Sequence, residues 1–184
     1  MSTPTGLRAR VVYESMFGNS EWVAQAVAQG LRLEGFEVDV VNVADAVHTH
    51  DEDLLVVGAP THAFSLSRAS TREDAVRQGA PAAAATIGLR EWIEAETKPG
   101  GEGRRSAAVF DTRVRKVKHL PAAASRKAAH LMAKKGYELV VPPHGFLVED
   151  VDGPLSDGQL DLASAWGREV AIEAQNRIAA TTVR

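Results

Sequence analysis

The residues best suited to chemistry come early, as Ser15-Met16-Phe17-Gly18-Asn19-Ser20. This stretch follows the short β-branched and aromatic run Val11–Tyr13 and precedes a helical pattern. A strand-to-helix turn aims the first free N–H groups of the helix at whatever sits above the strand ends. Ser15 and Ser20 add hydroxyls at either end of the loop. Gly18 permits a turn and the close approach of an anion. A loop of this kind suits a phosphate monoester. The plain alternative is a generic strand–turn–helix with Ser20 as N-cap.

Other chemistries lack their residues. There is no Gly-x-x-x-x-Gly-Lys-Ser/Thr, so P-loop nucleotide hydrolysis is excluded. The turn has no Gly-x-Gly-x-x-Gly either, which disfavours a dinucleotide-binding domain. With no Gly-x-Ser-x-Gly elbow, a hydrolase triad has no anchor. The chain contains 0 cysteines, so disulfides, thiolate metal sites, iron–sulfur clusters and cysteine nucleophiles are all removed. His48, His50, Asp51 and Asp53 share one polar stretch with no second cluster to complete a metal site. No metal is expected.

The elements that must position the loop read as alternating strands and helices. Val23, Val27 and Leu31 recur on one helical face, and Gly35 follows as a left-handed stop. Val38 to Val43, Leu54 to Val57 and Ala107 to Phe110 read as the next strands. A fifth strand, Leu139 to Val141, is interrupted by Pro142 and Pro143 and resumes at Phe146 to Val148. Leu89, Trp92 and Ile93 mark one further helix. Ala124, Ala128, Leu131 and Met132 mark another, stopped at Gly136. The last helix is predicted to start at Ser156 with Gln159 as capping-box partner, and to bury Leu162, Trp166 and Val170. The polar stretch Asp45–Asp53 leaves little or no helix after the second strand. This βαβα alternation predicts a parallel sheet with helices on both faces.

The chain's 184 residues suit one domain, 1–184. A long insertion at about 62–88 breaks the rhythm, with a short helix near Thr71–Arg77 capped by Ser70 and Glu73. An insertion of that length beside a strand end predicts a lid or binding loop. The first ten residues show no basic start followed by an apolar stretch, and Val11–Tyr13 is too short for a membrane span. A cytoplasmic protein is expected.

Two stretches together carry a family resemblance. Tyr-Glu-Ser-Met-Phe-Gly-Asn-Ser, with the helix to Leu33, resembles the FMN phosphate loop of the flavodoxins. Ser15, Gly18 and Ser20 match that family's Thr/Ser-x-Thr-Gly-x-Thr, while Phe17 replaces the middle hydroxyl and removes one donor. Gly58-Ala59-Pro60-Thr61-His62-Ala63-Phe64 is similar to the Gly-x-Pro-Thr segment that reaches the flavin ring in the quinone-reductase-like branch. The resemblance covers about Arg8 to Arg177. It implies an α/β, flavodoxin-like, doubly wound five-stranded parallel sheet of order 2-1-3-4-5 in three α/β/α layers. The ligand then sits at the switch point between strands one and three.

The cofactor so implied is FMN. Its phosphate would take Ser15, Met16, Phe17, Gly18, Asn19 and Ser20. Its ring would take Pro60, Thr61, His62 and Phe64 from the third loop, and Asp111, Thr112 and Arg113 from the fourth. Many flavodoxins hold the ring between two aromatics, but the fourth loop has none beyond Phe110. Arg113 could stack its guanidinium there or contact a pyrimidine carbonyl. Electron-carrying flavodoxins also use a third-loop glycine to stabilise the one-electron-reduced form. No glycine lies between Ala59 and Ser70, so that stabilisation is expected to be weak.

Charge sharpens the expected partners. Residues 1–103 carry 8 basic and 15 acidic side chains, residues 104–135 carry 10 and 1, and the remainder 3 and 8. Within the basic block, Arg113 to Lys118 follows strand four, on the ligand side. Positive charge there favours NAD(P)H or an acidic redox partner protein. Nucleic acid is disfavoured, because no aromatics interleave the block and the chain is acidic overall. The expectation is an FMN-dependent oxidoreductase that passes NAD(P)H-derived electrons to a quinone or similar acceptor. Two alternatives stay open: a one-electron carrier, and a flavodoxin-fold protein that binds FMN weakly or not at all.

Overall fold

The computed structural model describes residues 6–96, 105–117 and 123–182. Its strands are β1 (Arg8–Tyr13), β2 (Glu37–Asn42), β3 (Leu54–Pro60), β4 (Arg105–Val114), β5 (Tyr137–Leu139) and β6 (His144–Val148). All pair in parallel, in the order β2-β1-β3-β4-β5. The fifth position is shared. β5 pairs with the start of β4 (Arg105 opposite Tyr137), and β6 with its end (Phe110 opposite His144). The break falls at Pro142 and Pro143, which have no N–H to give to the ladder.

Five α-helices among the described residues complete the layers: α1 (Asn19–Leu33), α2 (Ala69–Arg77), α3 (Leu89–Ala95), α4 (Ala124–Lys134) and α5 (Gln159–Thr182). Alternation along the strands divides two cores. Val11, Leu54, Val56, Ala108 and Phe110 face α1 and α5. Val12, Leu55, Val57, Ala107 and Val109 face α3 and α4. Both sheet faces are covered, which is why β3 reads as a continuous apolar run. No helix follows β2. Residues 43–53 are instead held by Trp92 of α3, which donates its indole N–H to the Ala46 carbonyl (2.8 Å) and stacks on His48 at 4.5 Å. No helix among the described residues is long and apolar enough to cross a membrane.

Three helix details differ from the sequence expectation. α2 begins at Ala69, and Thr71 Oγ1, not Ser70, caps it by accepting the Arg68 N–H at 2.9 Å. α5 begins at Gln159, not Ser156, because Gln159 spends its side-chain oxygen on the Leu147 N–H (2.8 Å) to hold β6. Leu162 is exposed, and the inward face is Ala163, Trp166, Val170, Ala171 and Ala174. The period was right, but α5 is rotated so that small residues meet α1.

That rotation brings two backbones together. A Cβ on Gly30 would lie 2.1 Å from the Ser164 carbonyl oxygen, and one on Gly167 would lie 2.3 Å from that of Val27. Glycine is required at both places, because no side chain can yield where backbone meets backbone. Gly167→Ala is therefore expected to destabilise the chain by about 1–3 kcal/mol through overpacking. A urea denaturation midpoint equal to that of the parent would show that α1 and α5 do not approach this closely.

Candidate functional site

A cleft opens at the carboxyl ends of β1, β3 and β4, where the strand order reverses. In open α/β sheets this switch point is where ligands sit. Ser15, Met16, Phe17, Asn19 and Ser20 line it from the first loop. Pro60 at the end of β3, with Thr61 and His62 just beyond it, lines it too. So do Thr112 and Arg113, which lie within the last residues of β4 and not in a loop after it, because β6 pairs with that strand and extends it to Val114. Gly18, Phe64 and Asp111 are close by in sequence but are not part of the wall.

The first loop is closed from within. Gly18, at φ 87°, is the N-cap of α1, so Ser20 is not. The Gly18 N–H donates to Ser15 Oγ at 3.1 Å. Helix geometry leaves the amides of Asn19, Ser20 and Glu21 without an intrahelical acceptor, directed out of the helix end. The Ser20 hydroxyl is buried and hydrogen-bonds that of Thr112 at 2.8 Å, joining the first loop to the end of β4.

Asp111 is a joint rather than a wall. Its carboxylate is fully buried and accepts two bonds from Arg113, at 2.6 and 2.7 Å, and one from the Ser125 N–H at 3.1 Å. Thr61 Oγ1 accepts the neighbouring Ala124 N–H at 3.0 Å. The third loop and the end of β4 thus cap α4 together, and Arg113 reaches the cleft with two of its three nitrogens already bonded. The rest of the basic block is partly spent in the same way. Arg105 pairs with Glu52, Arg115 with Glu149, and Lys135 with the carbonyls of Glu94 and Glu96. Arg104 and Lys118 lie outside the described residues.

The third loop makes its turn without glycine. Ala63 and Phe64 both adopt positive φ, 45° and 63°. The turn is closed by His62 N–H to the Ser65 carbonyl (2.8 Å) and Ser65 N–H to the His62 carbonyl (2.9 Å). Phe64 is half exposed at the tip rather than anchored in the core. Burial, and then the nearby positive Arg72, hold the His62 imidazole below its usual 6.5.

Sequence reasoning missed several residues. Ala63, Val114, Val148 and Val151 also line the cleft. Val148 follows from the pairing of β6 with β4, so the strand order was its signal. Val151 has none: its loop is brought in by Asn19 Nδ2, which donates to the Asp152 carbonyl at 3.2 Å. Glu14 was also missed. It is buried, accepts hydrogen bonds from the Ser67 hydroxyl and the Leu89 N–H, and so ties the first loop to the insertion. Arg72, itself buried, bonds Ser67 Oγ and both oxygens of Glu91. Met16 and Phe17 pack against Ala75, Ala80 and Ala84 of the insertion. The apolar residues inside the first loop thus seat the insertion against it.

The four residues weighed as metal ligands divide between two partners, Glu96 and Arg8. His48 and His50 face Glu96, Asp51 pairs with Arg8, and Asp53 accepts the Arg8 N–H. No group of three or more ligating side chains suited to a metal occurs among the described residues.

Comparison with known proteins agrees with this geometry. The flavodoxin family model matches residues 11–83. A flavodoxin from the domain Archaea superposes with TM-score 0.64 at 18% identity, covering 92% of this chain and 99% of that one. Oxidised flavodoxin 1 from Bacillus cereus gives 0.62 at 16% identity, covering 90% and 97%. The flavodoxin of Streptococcus pneumoniae TIGR4 gives 0.62 at 18% identity, covering 90% and 99%. The chain is flavodoxin-like, in fold over about nine-tenths of its length and in sequence over residues 11–83.

Two outcomes follow for the joints around the cleft. Asp111→Ala leaves Arg113 and the Ser125 amide without their acceptor and is expected to cost about 3 kcal/mol in urea unfolding. Asp111→Asn, which keeps an acceptor, should cost less. Burial raises the Glu14 carboxyl above its usual 4.5. The folded chain therefore favours the protonated form, and Glu14 contributes most to stability at acid pH. That contribution is lost as pH rises through the folded value. Relative to the parent, Glu14→Gln should gain stability with rising pH above 4.5. A pH-independent difference would show that Glu14 ionises freely in the fold.

Proposed function

We propose that the chain binds FMN, with its phosphate at the Ser15–Ser20 loop and its ring in the cleft, and passes electrons from NAD(P)H to a quinone-like acceptor. The observation that carries this reading is the juxtaposition at the switch point. The open amide end of α1, closed around Gly18, shares one cleft with Thr61, His62, Thr112 and Arg113. The residues present fit the cofactor. Amides of Asn19 to Glu21 suit a phosphate monoester, and Met16, Val114, Val148 and Val151 supply apolar surface for a flat ring. Thr61, Thr112 and the imidazole of His62 supply polar groups. FMN, when bound, supplies the electron and hydride chemistry.

The chain's own residues orient and shield. The Thr61 and Asp111 caps fix the third loop and the end of β4 relative to α4. Arg113, pinned by Asp111, brings positive charge to the wall, where an anionic cosubstrate such as NAD(P)H is favoured. The tethering of the insertion to the first loop, through Glu14 and Met16, supports a role for it in acceptor choice.

A second reading has its own observation. Ser15 Oγ is used by Gly18, Ser20 Oγ by Thr112, and Phe17 supplies no hydroxyl. The phosphate would then rest mainly on backbone amides, and FMN would bind weakly. Flavin fluorescence titration separates the two. Saturable 1:1 quenching by the purified chain is the expected result, and unquenched FMN at excess protein would overturn the first reading. With FMN bound, NAD(P)H oxidation that requires an added quinone supports the oxidoreductase. Reduction only through a partner protein supports a carrier.

A further inference from the structure

We propose that His62 is the proton-exchanging residue of the cleft: its imidazole takes up a proton from solvent when two electrons enter the flavin bound there. The inference rests on the FMN reading above and adds a chemical role for one side chain.

Three observations support it. First, among the described side chains lining the cleft, only His62 and Arg113 are ionisable, and arginine does not release its proton near neutrality. Proton traffic beside the ring therefore falls to His62. Second, the protein builds a strained turn to place it. Ala63 and Phe64, neither of them glycine, are both held at positive φ, a conformation that persists only where the surroundings over-determine it. The surroundings here are the two backbone bonds that close the turn and Arg90 of α3. Arg90 braces the returning strand through Ser65 Oγ (3.2 Å) and the carbonyls of Leu66 (3.1 Å) and Ser67 (3.3 Å). Third, no hydrogen bond to a described residue acts on the His62 imidazole. Burial and the charge of Arg72 are what act on it. A histidine kept for structure would spend its ring nitrogens on the fold, as His48 does on the Trp92 carbonyl.

The electrostatics set the direction. With an oxidised, uncharged ring, burial and Arg72 both oppose a second positive charge, so His62 stays neutral at pH 7. Arg113, ion-paired with Asp111, acts on His62 less than Arg72 does. Glu14, under the third loop, is bonded to Ser67 and Leu89. A hydride from a nicotinamide, or two electrons from dithionite together with one solvent proton, leaves the flavin with one negative charge in this low-dielectric setting. His62 then gains its own solvent proton and balances that charge. Two protons are bound for each electron pair while His62 responds, and one where it does not.

The test uses the full chain labelled with 15N-histidine, with the His62 signals assigned by their loss in His62→Gln. Flavin quenching first establishes loading. The His62 signals are then titrated in the oxidised and the dithionite-reduced holoprotein. The expected result is a midpoint below 6.5 when oxidised, rising by about one pH unit or more on reduction, a tenfold gain in proton affinity. Between the two His62 midpoints, the pH dependence of the reduction potential should exceed that for one proton per electron pair in the parent, approaching two as the shift widens, and should correspond to one in His62→Gln. Loaded protein whose His62 midpoint does not move, or whose proton count is unchanged by the substitution, overturns the role of His62 alone. A parent chain that does not quench FMN overturns it together with the FMN reading.

Discussion

The cleft depends on one buried carboxylate. Asp111 sits near the end of β4 with no exposure to water, and burying a carboxylate there is costly unless it is paired and hydrogen-bonded. Its three accepted bonds, two from Arg113 and one from the first turn of α4, meet that requirement. Its satisfaction also makes the site. The same bonds fix the end of β4, aim Arg113 along the wall and set the start of α4. Thr61 caps the adjacent amide and draws in the third loop, while Thr112 reaches Ser20 and draws in the first. Three consecutive strand ends are thus joined through side chains at their carboxyl edge.

A second buried carboxylate does comparable work for the insertion. Glu14 immediately precedes the Ser15–Ser20 loop and accepts from Ser67 and Leu89, one at each end of the inserted segment. Arg72 closes the network through Ser67 and Glu91. The apolar contribution is small by comparison, since the insertion residues in the cluster with Met16 and Phe17 are alanines. The insertion is therefore held to the loop chiefly by polar bonds in a buried setting, which are strong when complete and costly when broken. The substitution of Phe for a hydroxyl residue at position 17, read from sequence as a lost phosphate donor, acquires a structural purpose as well.

Charge was only partly readable. The basic block after residue 103 stood out by count. Several of its members, however, are committed to individual acidic side chains or carbonyls, and counting cannot see pairing. Arg113 carries charge into the cleft while bonded to Asp111, so its reach is shorter than its sequence position implied.

Much of the architecture was legible in the chain. Short apolar runs located the described strands, because a sheet covered on both faces buries both sides of them, and a period near 3.6 located the main helices, because each buries one face. Two prolines announced the broken fifth strand, since they have no N–H to offer. The Ser15–Ser20 and Pro60–His62 segments pointed to the site because backbone turn chemistry at a strand end is local. What the sequence could not show depends on distant partners. The exact starts of α2 and α5 were settled by which side chain the local amide or a neighbouring strand claimed. The face of α5 was settled by glycines that let two backbones touch. The roles of Asp111, Glu14, Phe17 and the turn that presents His62 were decided only when residues far apart in the chain met. A hydrogen bond across 75 residues, like that from Leu89 to Glu14, leaves no periodic trace in either segment. Local pattern determined the elements and the loops; tertiary contact decided which polar groups were consumed in building the cleft and which were left facing it.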